Sequence, residues 1–207
     1  MRISGTSTRT ARKTRMSTSN SQAKALILDA FERNRLLALA TAAHVALLLV
    51  LVPAALLDPT EILGVNRWVK PMKFAVSIAI FMATMIWLLS YLQAGRTVRR
   101  ISIIIAVTMS AEMVLIGLQL LRGVQSHFNH DTILDEVIFS VMGALILVNT
   151  AAVAYAAYLF FTRPVAIGGA HLTDVRLGMI LFVLASLEGG LMVAVQALAG
   201  RPLLAIN

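Results

Sequence analysis

Glu112 interrupts an apolar run and is followed at short range by Arg122, Ser126, His127, His130 and Asp131, in the stretch EMVLIGLQLLRGVQSHFNHD (112–131). A carboxylate inside a membrane-length segment must be protonated, paired or hydrated, because an ionised group at that depth costs roughly 3 kcal/mol. Such a group can exchange protons or hold cation charge. Two histidines with an aspartate, His127, His130 and Asp131, are a weak zinc-type donor set. Ser126 beside His127 is not by itself a nucleophile and base, since adjacent helical residues point about 100° apart.

Taking Glu112 as the zero of angle, Thr108, Gln119, Gly123, Ser126 and His130 fall within about 40° of it at the helical period. If the helix continues through RGVQSHFNHD, this stripe runs from mid-membrane to the outer mouth. His127, His130 and Asp131 would then meet by i,i+3 and i,i+4 spacing. A second stretch repeats the arrangement loosely, with Glu188 followed by Gln196. Both glutamates fall at similar depth, and two facing carboxylates would share a proton. Lys73, Ser77, Thr84 and Tyr91 form one face of another segment. The candidate binding or proton-handling residues are therefore Glu112, Glu188, Gln119, Gln196, Lys73, Ser77, Arg122, Ser126 and His130. The alternative for each is structural: the glutamates as interhelical glue, the outer cluster as a solvated loop, and His44 as a packing residue.

The elements that must position these groups follow from composition. The chain has 207 residues, 58% of them hydrophobic and 14% charged, and its mean hydropathy is +0.82. Runs long enough to cross about 30 Å of hydrocarbon occur at 36–57, 74–92, 101–121, 137–161 and 177–199. They are too long and continuous for barrel strands, so the expected fold is an all-α membrane bundle of five spans. Ala185 with Gly189 and Ser186 with Gly190 are small-x-x-x-small pairs, which predict a central fifth helix. The absence of cysteine excludes disulfides and thiolate chemistry.

The net charge of +8 reflects topology, and no nucleic-acid partner is expected: 13 of the 18 basic residues fall on the side of the N-terminus. That asymmetry places the N-terminus in the cytoplasm and the C-terminus outside. Residues 1–23, rich in Ser, Thr and Arg, read as a disordered cytoplasmic tail, although a transit peptide or initiation at Met16 fits the same composition. Residues 24–35 read as an amphipathic helix on the inner membrane surface.

The segments NRWVKPMKFAVS (66–77), LQLLRGVQSHFN (118–129) and SLEGGLMV (186–193) resemble the patterns of a group of bacterial integral membrane proteins without an assigned activity. The resemblance covers most of the chain from Leu57 onward. It implies a bacterial inner-membrane location and adds no chemistry. The ceramidase and adiponectin-receptor type of zinc hydrolase is a second comparison, from which the chain departs in having five spans and no late His-x-x-x-His. Three functions stay open at this point. One is binding or movement of a small polar solute or ion through an outward-opening polar cavity, with no cofactor and with a homo-oligomer to supply enough helices. Another is a membrane hydrolase with zinc on His127, His130 and Asp131. The third is a non-catalytic assembly subunit in the lipid bilayer.

Overall fold

The computed structural model describes residues 21–199, with side chains through Val195. Of the tail expected at 1–23, residues 1–20 therefore lie outside the described residues; residues 21–23 belong to a first helix, α1, spanning 21–33. After a break at Asn34 come α2 (Arg35–Leu57), the short strands β1 (Glu61–Ile62) and β2 (Val65–Asn66), α3 (Val69–Ser90), α4 (Gly95–Leu121), α5 (Ile133–Thr162) and α6 (Gly169–Ala199). Five of these helices, α2 to α6, are long and apolar enough to cross a membrane. All backbone donors and acceptors inside such a helix are satisfied internally, so the apolar side chains can face lipid or neighbouring helices without penalty.

The side from which α2 starts is called here the tail side, and its opposite the loop side. On the tail side, the Asn34 amide oxygen caps α2 by accepting from the Leu37 N–H (3.2 Å), while its Nδ2 donates to Ser102 Oγ on α4 (2.7 Å). One residue thus starts a helix and ties it to another. Arg33 extends from α1 over the Trp87 ring (4.5 Å) and donates to Ser90 Oγ (2.9 Å), which docks α1 on the end of α3.

α4 is the central helix, packed against α2, α3 and α5. Its buried residues, from Thr108 through Ile101, Gln119, Glu112, Ile105, Ile116 and Met109 to Met113 and Ala106, cover an arc of about 160° at the helical period. An arc that wide requires neighbours on several sides. The core continues through Leu37, Ala75, Met82, Leu89, Met142 and Phe160 on the other helices.

The expected central position of the fifth span is not observed. α6 packs by its tail-side half, through Val175, Met179 and the stacking of Phe182 on Phe81 of α3 (5.1 Å). Its side chains from Leu187 to Val195 are all exposed, Glu188, Gly189 and Gly190 among them. Small residues permit close approach of a helix but supply no attraction of their own. Large side chains on the tail-side half decide where α6 docks.

The loop between α2 and α3 is ordered around Asp58. Its carboxylate accepts from the Thr60 N–H (3.0 Å), Trp68 Nε1 (2.9 Å) and Arg67 Nε (2.7 Å). β1 and β2 form a hairpin turning at Leu63 and Gly64, both at positive φ (54° and 77°). That pair of left-handed residues matches the twist of a two-residue hairpin. Hydrogen bonds from the Thr60 hydroxyl and N–H, with those of Trp68 and Arg67, hold Asp58 well below the usual carboxylate range. A carboxylate with a depressed native pKa stabilises the fold above its ordinary pKa, near about 4, and loses that contribution as pH falls from there toward the native value. Protection of the Glu61–Asn66 amides against hydrogen exchange, taken relative to the intrinsic rate at each pH, is therefore expected to fall on acidification below about pH 4, and in Asp58→Asn to be low already at neutral pH and unchanged by acid.

Candidate functional site around Glu112

α4 does not continue through RGVQSHFNHD. It ends at Leu121, where Gly123 adopts φ 73°, the Gly123 N–H donates to Leu120 O (3.0 Å) and the Val124 N–H donates to Gln119 O (3.2 Å). These two bonds are the Schellman closure, which needs a left-handed residue at the position Gly123 occupies. The expectation of a helical stripe reaching Ser126 and His130 is therefore corrected, although its lower part holds: Thr108, Glu112 and Gln119 are all buried on one face of α4.

Breaking the helix changes who meets whom. His127, His130 and Asp131 do not converge as helical spacing predicted, and among the described residues no group of three or more acidic, His or Cys side chains is gathered as a metal site. His130 packs edge-on against Phe139 (5.6 Å), and the Asp131 N–H donates to Asn129 Oδ1 (3.1 Å). Ser126 and His127, which point apart on a helix, are brought together by the non-helical backbone, with Ser126 Oγ 3.0 Å from His127 Nδ1.

The other ring nitrogen faces the buried glutamate, with His127 Nε2 3.5 Å from Glu112 Oε1. Glu112 is 1% exposed, and neither of its carboxylate oxygens accepts a hydrogen bond from the described residues. The His127 ring lies between Phe74 of α3 (5.2 Å) and Phe139 of α5 (6.3 Å). Lys70 is within electrostatic range of Glu112. The imidazole thus sits between the Glu112 carboxylate at Nε2 and the Ser126 hydroxyl at Nδ1.

A separate buried network holds the loop that carries Ser126 and His127. Asp135, in the first turn of α5, accepts from Gln119 Nε2 (3.0 Å), from Thr132 Oγ1 (2.5 Å) and from Arg122, which also donates to Gln119 Oε1. Thr132 caps α5 by accepting from the Asp135 N–H (3.2 Å). Gln119 and Arg122, expected to bind solute, instead belong to this lock. Asn129, fully buried, stitches the loop by donating to Gln125 O (3.1 Å).

The remaining sequence candidates lie elsewhere. Glu188 is exposed, so it does not face the buried Glu112, and the expected pair of carboxylates is not formed. The side chain of Gln196 lies outside the described residues. Lys73 and Ser77 are exposed and line a shallow groove with Val69, Met72 and Val76. Lys70, one turn earlier, is the lysine whose charge reaches Glu112. His44 is buried with Nδ1 2.8 Å from Ala40 O, a bond that leaves Nε2 as a lone pair without a partner among the described residues.

Residues not singled out from the sequence are Asp135, Thr132, Asn129, Phe74 and Phe139. Two of them, Thr132 and Asp135, carried a signal: with Glu136 in TILDE they have the spacing of a helix start with an acidic first turn. Comparison with family models, with curated proteins and with solved structures gives no match.

Proposed function

We propose that this multi-pass membrane protein binds a small polar solute or ion at the Glu112–His127 pair and exchanges a proton with it. The observation that carries this reading is the Glu112 carboxylate, 1% exposed with neither oxygen hydrogen-bonded by the described residues, facing an imidazole at 3.5 Å. Structural glue would look different: Asp135, held by Gln119 two turns beyond Glu112 on α4, accepts hydrogen bonds from three side chains. A buried carboxylate left with spare acceptor capacity costs stability, and such a cost is retained at functional sites.

Lys70 refines the chemistry. Its positive charge near Glu112 opposes a second fixed cation and favours a proton as the mobile charge. The excess of basic residues on the tail side supports that side as cytoplasmic, so that His127 is approached from outside. In this reading the protein is a bacterial inner-membrane protein, and a homo-oligomer would give five spans enough surface for translocation. The test is an infrared difference spectrum of the purified protein between acid and neutral pH. A protonated-carboxyl band that disappears in Glu112→Gln is expected; its persistence in that variant would refute the role given to Glu112.

A further inference from the structure

Two contacts set α3 and α6 side by side and antiparallel: Tyr91 against His171 near the tail side (6.0 Å) and Phe81 stacked on Phe182 (5.1 Å). Between them ten residues of α3 match eleven of α6. Carried towards the loop side in that register, Glu188 falls level with Ala75, about 9 Å inside the start of α3 at Val69, and Lys73 lies within about 3 Å of it along the axis. Direction follows from the same stack. Counting about 100° per residue, in opposite senses because the helices are antiparallel, Lys73 is about 80° round α3 from Phe81 and Glu188 about 120° round α6 from Phe182, both towards one side of the pair. Exposure agrees. Ser77, Ile80 and Thr84 of α3 and Leu181 and Ala185 of α6 turn to that side and are exposed with Lys73 and Glu188, whereas Met82 and Met179, on the opposite side, are buried. One outer face at membrane depth thus carries a carboxylate and an ammonium side by side, and among the described residues neither forms an ion pair.

We infer that a second copy of the chain docks on this face about a two-fold axis along the membrane normal, with each Glu188 against the Lys73 of the other copy. The inference rests on the homo-oligomer of the proposed function, whose interface it names, and makes no use of the Glu112–His127 pair. Lipid tails leave an ionised group at this depth without a partner, so a carboxylate turned outwards calls for a protein neighbour. The face itself defines what that neighbour must carry. Half a turn about the normal keeps every group at its own depth and sets α6 of one copy opposite α3 of the other, so the acid of each meets the base of its mate. Any other membrane protein would need both charges at that same depth in the reverse order. Ile80, Leu181 and Met192, 63%, 55% and 56% exposed on this face, supply the packing around the two charge pairs.

Because the chain has no cysteine, Ala185→Cys, at an exposed position on this face, reports the contact in the full chain reconstituted in phosphatidylcholine vesicles. Oxidation is expected to join two chains there and not at Val114→Cys, on the exposed face of α4. In the Ala185→Cys background, Glu188→Lys or Lys73→Glu alone should lower the joined fraction roughly tenfold, since each sets like charges together, and the two changes combined should restore it. Both side chains are exposed, so neither reversal removes a contact within the chain. Joining at Ala185 no greater than at Val114, joining that survives either single reversal, or a double reversal that restores nothing would each overturn the inference. If joining is absent while the carboxyl band is lost in Glu112→Gln, only the interface is rejected; if joining follows the charges while the band persists in that variant, the proton reading falls and the interface stands.

Discussion

Asp135→Ala is expected to lower the stability of the protein by about 2–3 kcal/mol, the cost of leaving a buried donor without its acceptor. The Asp135 side chain is 2% exposed, and the Arg122 side chain that it neutralises is 28% exposed. Removing the carboxylate leaves Gln119 Nε2 without its acceptor, leaves Arg122 only the Gln119 Oε1, and deprives Thr132 of the group that orients its hydroxyl. Asp135→Asn keeps an acceptor oxygen in place and is expected to cost less, about 1 kcal/mol. Unfolding in detergent micelles measures both. The damage extends beyond energy, because this network closes the two ends of the 122–132 loop and so fixes where Ser126 and His127 sit. A loss below about 1 kcal/mol for Asp135→Ala, the range of a surface pair, would show that the network does not hold the loop.

How far the sequence reaches is seen by comparing α4 with the loop that follows it. The five spans are legible because lipid leaves the backbone one way to satisfy itself, and length and composition then suffice. The burial of Thr108, Glu112 and Gln119 is legible for a similar reason: helical periodicity places them on one face. The angular count fails at Gly123, where a left-handed residue ends the helix. Beyond it no period applies, so the contact between Ser126 and His127, and that between His127 and Glu112, depend on a backbone path that spacing alone does not encode. Gly123 after an apolar run was the available stop signal.

α6 shows a different limit. Similar depth and similar sequence suggested that Glu112 and Glu188 answer each other, yet one is 1% exposed and the other faces outward. Depth along a helix follows from a rise of about 1.5 Å per residue; which way a helix turns its faces depends on packing with helices remote in sequence. Here the Phe81–Phe182 stack and the hydrogen bonds from Arg176 to Phe160 O (3.0 and 2.8 Å) fix the tail-side half of α6. Among the described residues no comparable contact draws in the half that carries Glu188.

Glu112→Gln and His127→Phe are each expected to slow proton exchange about 100-fold or more, the range associated with a positioned acid or base, while leaving the protein folded. Glutamine preserves the shape of a side chain whose oxygens take no hydrogen bond from the described residues, and phenylalanine preserves the stacking between Phe74 and Phe139. Neither change therefore opens a cavity. If the two residues pass the same proton, the double variant should be no slower than either single one, because groups acting as a unit lose their effect together. Ser126→Ala removes the hydroxyl that contacts His127 Nδ1 and should have a smaller effect, since the imidazole can take its proton from water at the loop side. Exchange followed with a pH-sensitive dye in reconstituted vesicles, beside melting temperatures for each variant, separates chemistry from folding. Independent, multiplying effects of Glu112→Gln and His127→Phe would mean that the 3.5 Å contact is packing alone, and the proton path through His127 would have to be abandoned.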